Sequence, residues 1–100
     1  MSQQFEWDAT KAEGNLKKHG VAFEEALTVF ADPLARIVDD PDHSASEKRE
    51  IIVGHSSSQR LLVVGFTERD AAVRIINARA AAARERKHYE ESTPKSQGQL

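Results

Sequence analysis

Two β-branched runs follow one another in LLVVGFTERDAAVRIINAR, residues 61–79, with only a short polar join between them. The first run, Arg60 to Thr67, is apolar on both faces at Leu61–Val64, which is typical of a strand at the centre of a sheet. The second run, Ala72 to Arg79, follows the period of two expected of a strand. Because Glu68–Ala71 is short enough for a hairpin, the two runs predict neighbouring antiparallel strands.

Other strand-like segments extend this hairpin. Arg49 to His55 is a third strand of the same kind, and Ser56–Gln59 is short enough to join it to Arg60 by another hairpin. Ala35 to Val38 is a marginal fourth strand. A further short strand is predicted at Phe5–Trp7, before the helical part of the chain.

Helical patterns mark two segments before the meander and one after it. Asp8 is a suitable N-cap for a helix from Ala9 to about Lys18, which Gly20 ends. A second helix from about Phe23 to Phe30 carries its apolar residues on one stripe. Residues 80–91 are strong helix formers. The chain therefore predicts an α+β fold in which helices pack on one antiparallel sheet, a meander, with a C-terminal helix.

Length and composition limit the chain to one folded unit. One hundred residues with 39% hydrophobic content can bury one core, so residues 1–91 are predicted to form one domain and polar residues 92–100 a disordered tail. The chain has no cysteine, which excludes disulfides and thiolate metal ligands. The N-terminus lacks a signal-peptide pattern, and no apolar run approaches the ~20 residues that span a bilayer. We expect a cytoplasmic protein without membrane contact.

Charge is divided unevenly along the chain. Residues 1–47 hold ten acidic and four basic side chains, whereas residues 48–100 hold ten basic and six acidic ones. The formal net charge of -2 therefore hides a basic second half that can face a polyanion such as RNA. The same mixture of charges is also what keeps an ordinary small domain soluble.

Strand parity suggests where a polar site would lie. Strict alternation places Val73, Ile75, Asn77 and Arg79 on one face of the last strand. The two polar residues come last, which indicates that this face becomes polar toward the end of the strand.

Two arginines near strand ends are candidates for binding a phosphodiester. Arg79 ends one predicted strand and Arg49 begins another, so both would be held more rigidly than arginines on a loop. Two guanidinium groups over one groove could stabilise the charge that develops when a ribose 2′-hydroxyl attacks phosphorus, without a metal ion. Arg79 could instead serve only the fold, by pairing with Glu85 or Glu50.

Two histidines are candidates for moving protons. His43 lies in an acidic loop, and an imidazole, with an ordinary pKa of about 6.5, suits both donation and acceptance, although a solvated turn without a catalytic role is the simpler explanation. His19 follows Lys18 at a helix end, where the helix dipole stabilises a charged imidazole. This position is compatible with a purely structural role as well as with a catalytic one. The spacing around His43 matches neither a calcium loop nor a paired-histidine zinc motif, so no metal site is predicted.

Several separated motifs, spread from Phe5 to Glu91, together resemble the BrnT family of bacterial toxins. They include Phe5-Glu6-Trp7-Asp8, Asn15-Leu16-Lys17-Lys18-His19-Gly20, Asp40-Pro41-Asp42-His43, Glu47-Lys48-Arg49 and Arg74-Ile75-Ile76. The resemblance implies a fold similar to the RelE toxins. It also implies a ribonuclease toxin of a type II toxin–antitoxin pair, which cleaves RNA without metal or cofactor and inhibits translation.

The resemblance further implies partners and site residues. Besides the RNA substrate, the expected partner is a BrnA-like antitoxin with a ribbon-helix-helix DNA-binding domain, in a toxin–antitoxin heterotetramer. The predicted catalytic residues are Arg49, Arg79, His43 and His19. The predicted RNA-binding residues are Lys18, Arg74, Arg84, Arg86 and Lys87.

Two departures from the family pattern leave other functions open. Asn77 stands where serine is more usual, and Ala80–Ala83 is less basic than in many relatives. Either change could weaken RNA contact. The alternatives are a catalytically degenerate toxin that only binds its antitoxin in operon regulation, and a plain RNA-binding domain whose affinity falls steeply with salt.

Overall fold

The computed structural model describes residues 3–43 and 47–92, and its elements follow the order predicted from the sequence. The strands are β1 (Gln4–Glu6), β2 (Arg36–Asp39), β3 (Glu50–His55), β4 (Leu61–Arg69) and β5 (Ala72–Ala80). The helices are α1 (Ala9–His19), α2 (Phe23–Ala26) and α3 (Ala83–Ser92). The α+β class and the C-terminal helix are confirmed, and the predicted tail lies, apart from Ser92, outside the described residues.

The five strands form one sheet in the order β1-β5-β4-β3-β2. Strands β2 to β5 make the predicted antiparallel meander, and β4 lies at the centre of the sheet. β1 instead pairs parallel with residues 72–74 of β5, which corrects the prediction of a wholly antiparallel sheet. Because β1 and β2 occupy opposite edges, the chain between them crosses the sheet, and α1 and α2 cover one of its faces.

Local sequence explains where the first helices begin and end. The Asp8 carboxylate accepts a hydrogen bond of 3.0 Å from the Lys11 amide, as predicted for an N-cap. Gly20, with a φ of 70°, ends α1 in a left-handed conformation that glycine adopts without strain. The predicted second helix is α-helical only through α2 and continues as a 3₁₀ helix at Leu27–Ala31, which keeps Val29 buried. Among the described residues, none of the helices has the length and apolar character that crossing a membrane requires.

The hydrophobic core lies between these helices and the sheet. Its members, each 3% exposed or less, are Val21, Phe23, Ala26, Val29, Ile52, Leu62, Val64, Phe66, Val73, Ile75 and Ala78. Burying a side chain such as Val, Leu, Ile or Phe contributes about 1.5–3 kcal/mol. This core therefore fixes which side of each strand faces the helices.

β5 contains a β-bulge at Ile76. In the pairing of β4 with β5, Gly65 lies opposite Asn77, whereas the next residue, Phe66, lies opposite Ile75. Ile76 is therefore an extra residue in β5. An extra residue reverses the alternation of the side chains that follow it.

The bulge places Asn77 and Arg79 on the face opposite the one predicted. Val73 and Ile75 belong to the core, and beyond the bulge Ala78 does so too, while Asn77 is exposed. The prediction that Asn77 and Arg79 share a face with Val73 and Ile75 is therefore wrong, because strict alternation ignores the extra residue. We call the face turned away from α1 and α2 the second face.

α3 packs on the second face, close to β3. Tyr89 is 6% exposed, its ring centroid lies 5.5 Å from that of His55, and its hydroxyl donates to the Asp32 carboxylate at 3.3 Å. β2 lies at the far edge of the sheet and is exposed along its length, with Ile37 and Val38 each 53% exposed. α3 therefore covers only part of the second face.

Candidate active-site groove

A groove of about 430 Å³ opens on the second face of the sheet. Its floor comes from three neighbouring strands, because Ile51, Gly65 and Asn77 lie side by side in register, as do Val63 and Arg79 in the next row. Residues paired directly across strands point to the same face. The strand register therefore sets the spacing of the polar groups in the groove.

Gly65 leaves room on this floor for the Asn77 carboxamide. A Cβ atom at Gly65 would lie 2.9 Å from Asn77 Oδ1 and 3.0 Å from Nδ2, so the amide extends over the backbone of β4. A carboxamide in this position can offer a donor and an acceptor to a ligand.

One wall of the groove is the C-terminal end of α1. Lys18 and His19 both line the groove and belong to the last turn of the helix. Carbonyl groups in a last turn carry partial negative charge, which favours nearby cations. The structure thus brings these two predicted residues to the groove that Arg79 also lines.

A second wall is the 3₁₀ turn Pro41–His43 with the residue before it. His43 Nδ1 lies 3.0 Å from Asp40 Oδ2 and 3.2 Å from Oδ1. Because an ionised carboxylate only accepts hydrogen bonds, Nδ1 carries the hydrogen, and Nε2 is left for a ligand. Asp40 was not among the predicted site residues, although its i,i+3 spacing to His43 was a signal for this contact.

Arg79 lines the groove from β5, and Glu85 of α3 holds its guanidinium. The Nη1–Oε1 and Nη2–Oε2 distances are both 2.7 Å, which is a bidentate ion pair. Hydrogen bonds from Arg79 lower the pKa of Glu85 to about 2, and the same contact raises the pKa of Arg79. The structural alternative for Arg79, an ion pair with Glu85, is therefore present. The same ion pair also holds the guanidinium of Arg79 beside the groove.

Glu85 has a second hydrogen bond that ties this ion pair to the start of α3. Its Oε1 accepts the Ala82 amide at 2.8 Å. A glutamate that bonds the amide three residues before it satisfies a donor that the helix leaves unpaired. The end of β5 and the beginning of α3 are thus joined through Glu85.

The remaining predicted site residues do not line the groove. Arg49 directly precedes β3 and is half-buried, and a second arginine over the same groove as Arg79 stays a prediction. Arg74 pairs with Glu6 between β5 and β1 at 3.2 Å. The basic residues exposed on α3 are Arg84, Arg86 and Lys87.

Comparison with known proteins finds a matching family and a similar solved structure for this chain. A family model described as "Ribonuclease toxin, BrnT, of type II toxin-antitoxin system" matches residues 7–85. Among solved structures, the chain is similar to the Brucella abortus ribonuclease toxin BrnT, with a TM-score of 0.64 and 21% sequence identity. The match covers 81% of this chain and 99% of the Brucella chain, and at this identity it establishes the fold alone. No curated protein matches the chain.

Proposed function

The chain belongs to the BrnT family of ribonuclease toxins of type II toxin–antitoxin systems, and from this membership we propose that the groove is a metal-independent RNA-cleaving site. One observation carries the proposal. Lys18, His19, His43 and Arg79, which are distant in sequence, line a single groove. Two basic side chains and two imidazoles are groups that can together catalyse cleavage of a phosphodiester next to a 2′-hydroxyl.

The two cations would bind the scissile phosphate. Lys18 approaches from the end of α1 and Arg79 from β5, so their charges converge on one anion. Arg79 gives one hydrogen of each Nη group to Glu85, and Nη1 also donates to the Ala80 carbonyl at 3.4 Å, so the second Nη2 hydrogen would serve a phosphate oxygen. The Asn77 amide adds a neutral hydrogen-bonding group on the floor.

The two histidines would move the protons. One imidazole takes the proton of the ribose 2′-hydroxyl as its oxygen attacks the adjacent phosphorus. The other protonates the 5′-oxygen as its bond to phosphorus breaks, which leaves a cyclic phosphate. Asp40 holds His43 through Nδ1, so Nε2 is the atom that exchanges a proton. General acid–base catalysis of this kind is worth roughly 10²- to 10⁴-fold.

Cleavage of RNA by the purified protein in EDTA tests this site. The Arg79→Ala variant is expected to lose most activity, while His19→Ala and His43→Ala each leave measurable cleavage. Arg60→Ala is the matched control, since Arg60 also pairs with a carboxylate, that of Glu25, but does not line the groove. Equal rates for the wild type and Arg79→Ala would refute the assignment.

A second function is favoured by the Arg79–Glu85 ion pair itself. An arginine already engaged through both Nη groups can act as a purely structural residue, as in a catalytically degenerate toxin that only binds its antitoxin. Such a protein would bind the antitoxin tightly and would not arrest growth when expressed alone. The nuclease predicts growth arrest that Arg79→Ala abolishes.

We also propose the partners of the site. The substrate would be cytoplasmic RNA, whose cleavage inhibits translation. The inhibitor would be a BrnA-like ribbon-helix-helix antitoxin that covers the groove in a toxin–antitoxin heterotetramer. The support for this position is that the groove gathers cationic side chains, which an inhibitor must shield from RNA.

A further inference from the structure

A buried asparagine on α1 is hydrogen-bonded to the strand that carries the groove floor. Asn15 is 8% exposed. Its Nδ2 donates to the Ala78 carbonyl at 2.8 Å and to the Val21 carbonyl at 2.9 Å, and its Oδ1 accepts the Ala78 amide at 3.1 Å. Both donor hydrogens and the acceptor are thus used on backbone groups.

The edge of β5 explains why Ala78 needs this partner. β1 pairs with β5 only as far as Arg74, so in the described part of the chain no strand lies beside Ala78 on that side. A buried backbone amide or carbonyl without a partner is costly. A carboxamide has the same donor and acceptor as a peptide group, so Asn15 replaces the missing strand at this one residue.

The position of this contact connects two parts of the groove. Ala78 lies between Asn77 and Arg79, both of which line the groove. Lys18 and His19 follow Asn15 by three and four residues on α1, and residues at these spacings share one side of a helix. The same carboxamide therefore holds the helix that carries one wall and the strand that carries the floor.

We propose that Asn15 is a positioning residue, which fixes His19 and Lys18 relative to Asn77 and Arg79. It does not line the groove and so would act only through these neighbours. The inference deepens the proposed nuclease function and rests on it for its kinetic consequence. Its structural consequence, a displaced α1 end, does not depend on RNA cleavage.

The kinetic test compares Asn15→Ala with Val29→Ala. Val29 is fully buried in the core and does not line the groove, so its truncation lowers stability without touching the site. At a temperature far below both melting temperatures, we expect kcat to fall about 10²-fold for Asn15→Ala, since a misplacement of ~1 Å can cost that much. Val29→Ala should stay within about 2-fold.

A second variant and a second measurement keep the test decisive. Should Asn15→Ala not fold, Asn15→Ser keeps a donor and an acceptor in a side chain that is too short to bond Val21 and Ala78 together. In nuclear magnetic resonance spectra, the His19 ring and the Asn77 and Arg79 amides should shift in the Asn15 variant and keep their wild-type positions in Val29→Ala.

Two results would overturn the inference. One is a loss of kcat in both Asn15→Ala and Val29→Ala that follows how far each variant lowers the melting temperature. The other is wild-type resonances for His19, Asn77 and Arg79 in the Asn15 variant. A wild-type protein that does not cleave RNA would refute the proposed function instead, and the resonance comparison alone would then decide the role of Asn15.

Discussion

At the scale of single residues, one carboxylate connects the groove to the rest of the molecule. Glu85 holds both Nη groups of Arg79 and also accepts the Ala82 amide at the start of α3. It therefore limits the orientations of Arg79, and it competes with any phosphate for the arginine's hydrogens. Removing Glu85 separates these two effects, because stability and RNA affinity should then change in opposite directions.

The acid stability of the fold should depend on Glu85. Its pKa is about 2 in the folded protein against 4.5 for an ordinary glutamate, so the ion pair is fully stabilising above pH ~4.5 and its contribution is lost as the pH falls toward 2. The side chain is 34% exposed, and after allowance for screening we expect about 1–2 kcal/mol. Glu85→Gln should lower the free energy of unfolding in urea by this amount at pH 7 and by little near pH 2.

Glu91→Gln on the exposed side of α3 is the control for this measurement, and it should leave the pH dependence unchanged. A constant difference between the wild type and Glu85→Gln from pH 7 to pH 2 would show that the ion pair does not contribute.

Two glycines of the sheet should respond oppositely to alanine. At Gly65 the added Cβ meets only the end of the Asn77 side chain, which can rotate away, so Gly65→Ala should fold and lose RNA cleavage. At Gly54 the Cβ would lie 2.8 Å from the Ala35 Cβ and 3.1 Å from Val29 Cγ1, so Gly54→Ala should lose about 1–3 kcal/mol of stability.

Melting curves and cleavage assays on both glycine variants check this contrast. The double change Gly65→Ala with Asn77→Ala should remove the crowding without restoring activity. Full activity of Gly65→Ala would contradict the placement of the Asn77 amide in the groove.

At the scale of elements, the sequence predicted each strand and helix because hydrophobic period and capping residues act locally. The bulge was hidden because Ile75 and Ile76 are both apolar, so the sequence shows no break in the alternation at that point. The parallel pairing of β1 was also hidden, since it depends on where α1 and α2 deliver the chain rather than on the residues of β1.

Part of the candidate site could also be predicted from the sequence, because residue type alone suggests some chemistry. His19, His43, Lys18 and Arg79 are residue types that suggest phosphate chemistry, and they do line one groove. Asn15 gave no such signal, because an asparagine within a helix acquires its role only when β5 presents the edge at Ala78.

The bulge in β5 predicts that Ile76 can be removed without turning the groove residues to the other face. Without Ile76, strict alternation from Ile75 places Asn77 outward, Ala78 toward the core and Arg79 outward, which is the orientation that each has in the wild type. We expect the deletion variant to fold with a loss of about 0.5–3 kcal/mol of stability, since only the local bend and twist of β5 change, as measured by circular dichroism on heating.

Ile76→Thr keeps the residue count and is the control, with a melting temperature close to that of the wild type. A deletion variant that does not fold would show that the extra residue in β5 is needed for the orientation of the groove residues.

At the scale of the whole molecule, the sheet separates two tasks. One face is covered by α1 and α2 over the core, and the other carries the groove beside α3. The two oppositely charged halves of the sequence are not separated in space. Lys18 from the acidic half and Arg79 from the basic half line the same groove. An inhibitor that blocks the groove would therefore need to cover only the second face of the sheet.

Hydrogen exchange on complex formation with a BrnA-like antitoxin should therefore protect a defined set of amides. We expect slower exchange at residues 18–19 and 77–79, which line the groove, and little change in α2 on the other face. Protection confined to α2 would contradict inhibition by covering the groove.

The exposed outer strand β2 has a practical consequence for handling the isolated protein. Its backbone groups have no strand partner on the outer side within the described residues, and Ile37 and Val38 are each 53% exposed. Such an edge is a template for fibrillar self-association. We expect the folded protein to associate through this edge at high concentration, which would make the solution turbid. Ile37→Lys should delay this association, because a charged side chain disfavours strand pairing at the edge.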